Sequence, residues 1–274
     1  AGLNLHHPGP PSPAGLFAGN VGISGPDHLV RCPFPLRIQP PFSMRLRFLT
    51  PVLLAAWTAH LSGCNTVPSP PPKAVTASPS ATVWSLDRTD RIAGHAVTVL
   101  GQPTVIREGS LTALQFDGAR DGIVLPVAAL GGLREFTIEI HFRPARDGAA
   151  EQRFFHTQDS ADNRSLLEIR LMPDGRWTLD TFLLSGKNSL PLLDRTLLHS
   201  SDQWHWVALR YDGHHMTSFV DGVQELAGEV EFPPMLPEGR TSVGVRLNEV
   251  YWFKGAISEV RISPVALTAD QLSR

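Results

Sequence analysis

Cysteine is nearly missing from this chain: two in 274 residues, Cys32 and Cys64, both in the N-terminal quarter. Beyond residue 64 there is neither a disulfide framework nor a cysteine zinc site. Lysine is also scarce, limited to Lys73, Lys187 and Lys254, and the net formal charge is −2. With no basic excess, the chain offers no electrostatic footprint to a phosphate backbone, so nucleic acid is excluded as an expected partner. No apolar run is long enough for a transmembrane helix. The best stretch, from Phe48 to Leu61, is broken by Pro51 and His60. The G-x-S-x-G elbow of serine hydrolases is absent. No internal repeat occurs, which argues against a propeller or solenoid.

What is present changes character along the chain. Residues 1–43 are rich in Pro and Gly without a sustained apolar period, and are expected to be disordered. Arg45 and Arg47 then precede the apolar segment containing Leu49, Val52, Leu53, Leu54, Ala55, Ala56 and Trp57, and small residues lead to Cys64. A basic start, a short apolar core and a small-residue cleavage site make residues 44–63 a secretory signal. Such a signal belongs at an amino terminus, so translation is expected to begin at Met44, with residues 1–43 upstream of the true start. Leu61-Ser62-Gly63-Cys64 resembles the lipobox of bacterial lipoproteins. The resemblance implies that the Cys64 thiol is acylated and becomes the first residue of the mature protein. Several acyl chains give durable attachment where one alone is marginal. Residues 64–80 then form the lipid anchor and a Pro/Ser-rich, semi-extended linker. Asn65 after the cysteine implies, again by resemblance, the outer membrane of a bacterial envelope.

From residue 81 to 274 period-two alternation dominates. Phe136, Ile138, Ile140 and Phe142 share one side of a run whose other side carries Thr137, Glu139, His141 and Arg143. Leu167–Leu171 and Val243–Asn248 alternate likewise. Asp-Gly pairs at 117, 121, 147, 174, 212 and 221 punctuate the runs and predict hairpins. Many short strands with regular turns predict an all-β sandwich or barrel. Only Ala266–Leu272 looks helical. From residue 65 onward 20 Lys and Arg face 25 Asp and Glu, a net charge of −5.

Here the motifs become specific. The stretch WHWVALRYDG from Trp204 to Gly213, then Met216, then FVDGV from Phe219 to Val223, resembles the central hairpins of laminin-G-like, concanavalin-A-like jelly rolls. Leu114–Gly118 and Phe136–Glu139 match the early strands of that family, and Phe253–Ser263 with Ala266-Leu267 match its closing strand and terminal turn. The resemblance covers roughly residues 83–272. It implies a two-sheet antiparallel jelly-roll sandwich, with Trp204, Val207, Leu209 and Tyr211 serving packing and the strands after Phe136 helping to build a concave sheet.

On that expected concave sheet, charged side chains occupy the faces opposite the core. Arg170, Asp180, Arg246 and Asn248 form the primary candidate site, with Glu168 and His141, and with Glu139, Arg143 and Arg210 nearby in pattern. Arginine, carboxylates and imidazole suit sugar hydroxyls, and Trp177 and Trp252 are candidate stacking rings. Cross-strand ion pairing on a solvated sheet is the other reading of the same residues. Some relatives are glucanases bearing Glu-x-Asp-x-x-Glu on one strand. This chain lacks that motif, although Glu139, Glu168 and Asp180 offer carboxylates that could converge across strands. The family also implies calcium, for which Asp117 and Asp121, with Asp159 and Asp162, are the loop candidates. The functional expectation is a carbohydrate-binding module on an envelope lipoprotein. The alternatives are a protein-interaction sandwich meeting an envelope protein, or a divergent polysaccharide-active enzyme.

Overall fold

The computed structural model describes residues 80–274. In chain order the strands are β1 (Thr82–Ser85), β2 (Arg91–Ile92), β3 (His95–Ala96), β4 (Thr98–Leu100), β5 (Thr104–Glu108), β6 (Leu111–Asp117), β7 (Gly122–Leu125), β8 (Phe136–Pro144) and β9 (Glu151–Asp159). They continue as β10 (Arg164–Leu171), β11 (Trp177–Ser185), β12 (Asn188–Leu193), β13 (His205–Tyr211), β14 (His215–Val220), β15 (Val223–Glu229), β16 (Gly239–Val243) and β17 (Lys254–Ser263). An eight-stranded sheet runs β15-β14-β13-β8-β17-β6-β5, with β1 also on β17. A seven-stranded sheet runs β12-β11-β10-β9-β16-β7-β4, and β2-β3 form a small ribbon. Strand β17 serves two partners along one edge: its first half pairs β6, its second half β1. All strand pairings are antiparallel.

The predicted alternation builds the core. Phe136, Ile138, Ile140 and Phe142 of β8, Val207, Leu209 and Tyr211 of β13, and Leu167 and Ile169 of β10 all point between the sheets and are buried. Phe142 stacks on Phe154 at 4.7 Å and meets Trp177 edge-on at 5.1 Å. Such side chains contribute about 1.5–3 kcal/mol each on full burial. The Asp-Gly pairs at 174, 212 and 221 join β10 to β11, β13 to β14 and β14 to β15, each a paired hairpin.

Three expectations need correction. The helical stretch at the C-terminus reduces to a 3-10 turn, Ala269–Gln271. Trp204 is not core: it lies half-exposed and donates to Glu108 at 3.0 Å. The strand expected over Val243–Asn248 instead ends at Val243. Gly244 takes φ +84°, and a Cβ there would meet the Phe116 ring at 2.4 Å, so only glycine admits the break. Arg246 and Asn248 therefore sit on a loop, not a strand.

Candidate functional site

The outer face of the seven-stranded sheet gathers most of the predicted residues, and strand register explains how. Glu168 pairs with Asp180 across β10/β11 and with Arg153 across β10/β9. Arg170 pairs with Glu151 of β9. Five charges thus fall in a block. Arg170 Nη2 lies 2.5 Å from Asp180 and 3.1 Å from Glu168, while Arg170 Nη1 lies 3.0 Å from Glu151. Arg153 reaches Glu168 at 2.9 Å through Nε and Glu151 at 3.0 Å through Nη1.

Glu168 and Asp180 are 5% and 4% exposed. Burial raises the pKa of both above the ordinary carboxylate range, with Arg153 and Arg170 opposing the rise. Glu151, nearer solvent, is lowered by its hydrogen bond from Arg153. Several of these contacts are close without being aligned: Arg153 Nε, Arg170 Nη1 and Glu168 Oε2 are buried and make no well-formed hydrogen bond. The charges hold one another by proximity, and hydrogen-bonding directions remain unfilled.

Beside the block the surface is apolar. Leu166, Phe182 and Pro191 stand in one row across β10, β11 and β12. Together the two halves line a depression of about 260 Å³, with Arg164 and Arg246 also in its wall. Arg246 arrives from the loop after β16, which is pinned along β9. Leu247 N–H donates to His156 Nδ1 (3.1 Å) and Arg153 N–H to the Tyr251 carbonyl (2.9 Å). The same loop slides the Tyr251 ring under the Arg153 guanidinium, 3.7 Å from it.

Other predicted residues fall elsewhere. His141 is on β8, in the other sheet, where it stacks on Trp206 at 4.7 Å and bonds Ser258 at 2.7 Å. It cannot act with Arg170 or Asp180, because the core lies between them. Glu139 and Arg143 share that sheet: Glu139 accepts from Ser273 N–H, and Arg143 pairs Glu108 at 2.8 Å. Arg210, on β13, faces Asp212. The carboxylate trio expected to converge is thus a pair, Glu168 and Asp180. Trp177 is no stacking ring; it is fully buried and donates to the Ser200 carbonyl at 2.9 Å. Trp252 is partly buried outside the depression.

The calcium candidates do not fit a cation. Asp117 Oδ1 accepts the amides of Ala119, Arg120 and Asp121, and Asp121 accepts those of Gln102 and Asp117. Asp159 accepts from Ala161, Asn163 and Leu236, and Asp162 takes the Gln158 amide. Their oxygens face N–H donors, and among the described residues no group of three or more His, Cys, Asp or Glu is arranged to hold a metal ion.

Sequence reasoning missed Arg153, His156, Arg164, Phe182 and Tyr251. A wider depression of about 900 Å³ lies near the β13–β14 turn, beside Arg134, His214 and Phe232. Its buried polar group, the Tyr211 hydroxyl, is already occupied by the Gly213 carbonyl and the Phe232 amide. The groove on the seven-stranded sheet is where buried charge and unfilled hydrogen-bonding capacity coincide.

No curated protein matches the sequence. Among solved structures, domain 4 of AbnA, an extracellular arabinanase from Geobacillus stearothermophilus in complex with arabinotriose, aligns with a TM-score of 0.54 at 19% identity, covering 71% of this chain and 97% of that one. The binding domain of botulinum neurotoxin DC in complex with SialylT aligns with a TM-score of 0.50 at 13% identity, covering 70% and 49%. The receptor-binding domain of the C/D mosaic serotype gives 0.52 at 12%, covering 70% and 49%. The chain spans about half the length of these toxin domains, and at such identities the likeness is one of fold. The family model for the Concanavalin A-like lectin/glucanases superfamily matches residues 117–273, more than half of the chain, and the protein belongs to that superfamily.

Proposed function

We propose that this protein is a lipid-anchored envelope protein whose sandwich binds carbohydrate in the groove over β9, β10, β11 and β12. The observation that carries the binding reading is the pairing of an apolar row, Leu166, Phe182 and Pro191, with a buried array of guanidinium and carboxylate groups. A sugar ring presents the same two surfaces, an apolar C–H face and an edge of hydroxyls, and planar charged groups bond hydroxyls in fixed directions. The arabinotriose on domain 4 of AbnA is consistent with this use of the fold.

A glycan array with the full chain tests it, followed by titration of the best ligand. Phe182→Ala should weaken that ligand at least tenfold, about 1.4 kcal/mol, with little change in melting temperature. Absence of binding to neutral and acidic glycans alike would leave a protein-interaction sandwich as the reading. A hydrolytic reading has one observation in its favour, the raised pKa of Glu168 and Asp180. Yet both face the same Arg170 nitrogen, so neither stands free as a general acid. Reducing-sugar release from the bound glycans would establish hydrolysis.

The anchoring part of the proposal rests on the Met44–Cys64 segment, which lies outside the described residues.

A further inference from the structure

A second depression, about 180 Å³, adjoins the groove and shares Arg246 with it. His156, Gln158, Arg240, Leu247 and Asn248 complete its lining. Donors dominate this wall. Arg153 and Arg170 are tied to carboxylates. By contrast Arg164, Arg240 and Arg246 enter none of the ion pairs among the described residues, and Arg164 Nε is buried without a partner. The domain as a whole is acidic, with 25 Asp and Glu against 20 Lys and Arg from residue 65 onward, so this corner reverses the local field.

His156 supplies an independent observation. The residue is 2% exposed. Its Nδ1 accepts the Leu247 amide, which puts the proton of the neutral ring on Nε2. The ring is neutral because burial, then Arg246 and Arg164, drive its pKa down to about 3; the nearby Gln158 side chain opposes this. Gln158 donates one amide hydrogen to Asp162 and offers its oxygen beside the ring, but Nε2 has no aligned partner. A buried N–H without a well-aligned acceptor is rare in folded proteins and leaves donating capacity for a ligand oxygen.

We propose that this depression receives the anionic substituent of an acidic sugar, a carboxylate or a sulfate ester, between His156 Nε2–H and the guanidinium groups of Arg240 and Arg246. The inference rests on the groove being a carbohydrate site, and it adds the class: charged glycans over neutral ones. Guanidinium forks match planar carboxylate and sulfate oxygens in pairs. The apolar row and the ion-pair block would then hold the ring while the depression holds its charge.

Two measurements on the full chain separate this inference from the reading beneath it. In the first, sodium acetate and sodium sulfate are titrated against sodium chloride at fixed ionic strength while the His156 ring signals are followed by NMR. A saturable shift, lost in Arg246→Gln, is expected; no shift with either anion overturns the anion pocket. In the second, matched pairs are titrated: oligogalacturonate against its methyl ester, sialyllactose against lactose, and dextran sulfate against dextran. The charged member of at least one pair should bind tenfold or more tightly, with the gap closed by Arg240→Gln and Arg246→Gln. The preferred pair tells carboxylate from sulfate. Equal binding within every pair overturns the inference and leaves the carbohydrate reading intact. Anion shifts without binding of any saccharide would overturn the sugar assignment and weigh against the carbohydrate reading itself.

Discussion

Folding carries the pKa of His156 from 6.5 to about 3, chiefly because the ring loses water. Between those values the unfolded chain binds a proton that the folded chain refuses. Stability linked to this residue is therefore unchanged above pH 6.5 and declines as pH falls from 6.5 toward 3, on the order of 1 kcal/mol per pH unit. His156→Gln should flatten that decline, measured as unfolding free energies in denaturant at pH 7 and pH 5; parallel slopes in both proteins would contradict a buried neutral ring. Nothing in the sequence marked His156. It lies beside Phe154 and Phe155, and of its neighbours in space Arg164 sits on the next strand while Arg246 is 90 residues away in the chain. Trp177 failed for the opposite reason. A tryptophan at a strand start is compatible with either face, and only the Ser200 carbonyl waiting for its N–H decides. Tyr251 stayed invisible because its position depends on a residue held at φ +59° in a loop.

At the scale of strands, the candidate group divides. Arg170 and Arg246 stood together in the sequence pattern, but Arg170 binds three carboxylates across β9, β10 and β11, whereas Arg246 rides a loop without an ion pair. Arg170→Ala leaves Glu168 and Asp180 buried without that cation, and a loss of about 3–5 kcal/mol is expected. The loss carries a pH signature. Their folded pKa values, already raised by burial, should rise further. Stability from a raised carboxylate is full below its unfolded value near 4 and is lost as pH climbs through the folded value. The penalty should therefore be largest at pH 7 and shrink toward pH 4, as read by urea unfolding of wild type and variant. A penalty independent of pH would mean that the arginine acts by packing alone. The hairpins at Asp174, Asp212 and Asp221 were legible because the turn chemistry is local, whereas the Asp-Gly pairs at 117, 121 and 147 carry the chain from one sheet to the other and form no hairpin. The sheet assignment of β8 was not, since alternation fixes which residues face the core but not which sheet a strand joins; His141 was misplaced on that account.

For the molecule as a whole, class and motif order were legible because turn spacing and core alternation recur in the central strands, and the family match over residues 117–273 agrees. Localisation is a separate matter. Among the described residues no helix is long and apolar enough to cross a membrane, and attachment is proposed to run through Cys64. In a bacterial host, Cys64→Ser should abolish labelling by a palmitate analogue and shift the protein from the membrane to the soluble fraction; undiminished labelling would refute lipidation. The groove has its own dependence on chain length. Phe154 is one residue more than β10 can match: Phe155 pairs Leu167 and Arg153 pairs Glu168, so two phenylalanines enter the core in succession. That surplus residue reverses the odd–even order of β9, so Arg153 before it and His156 after it both face outward. The ion-pair block and the donor-lined depression meet at this reversal. A descendant of this sequence that lost one residue there would keep either half of the face only by turning the other toward the core, whereas substitutions elsewhere along β9 would leave the two halves together.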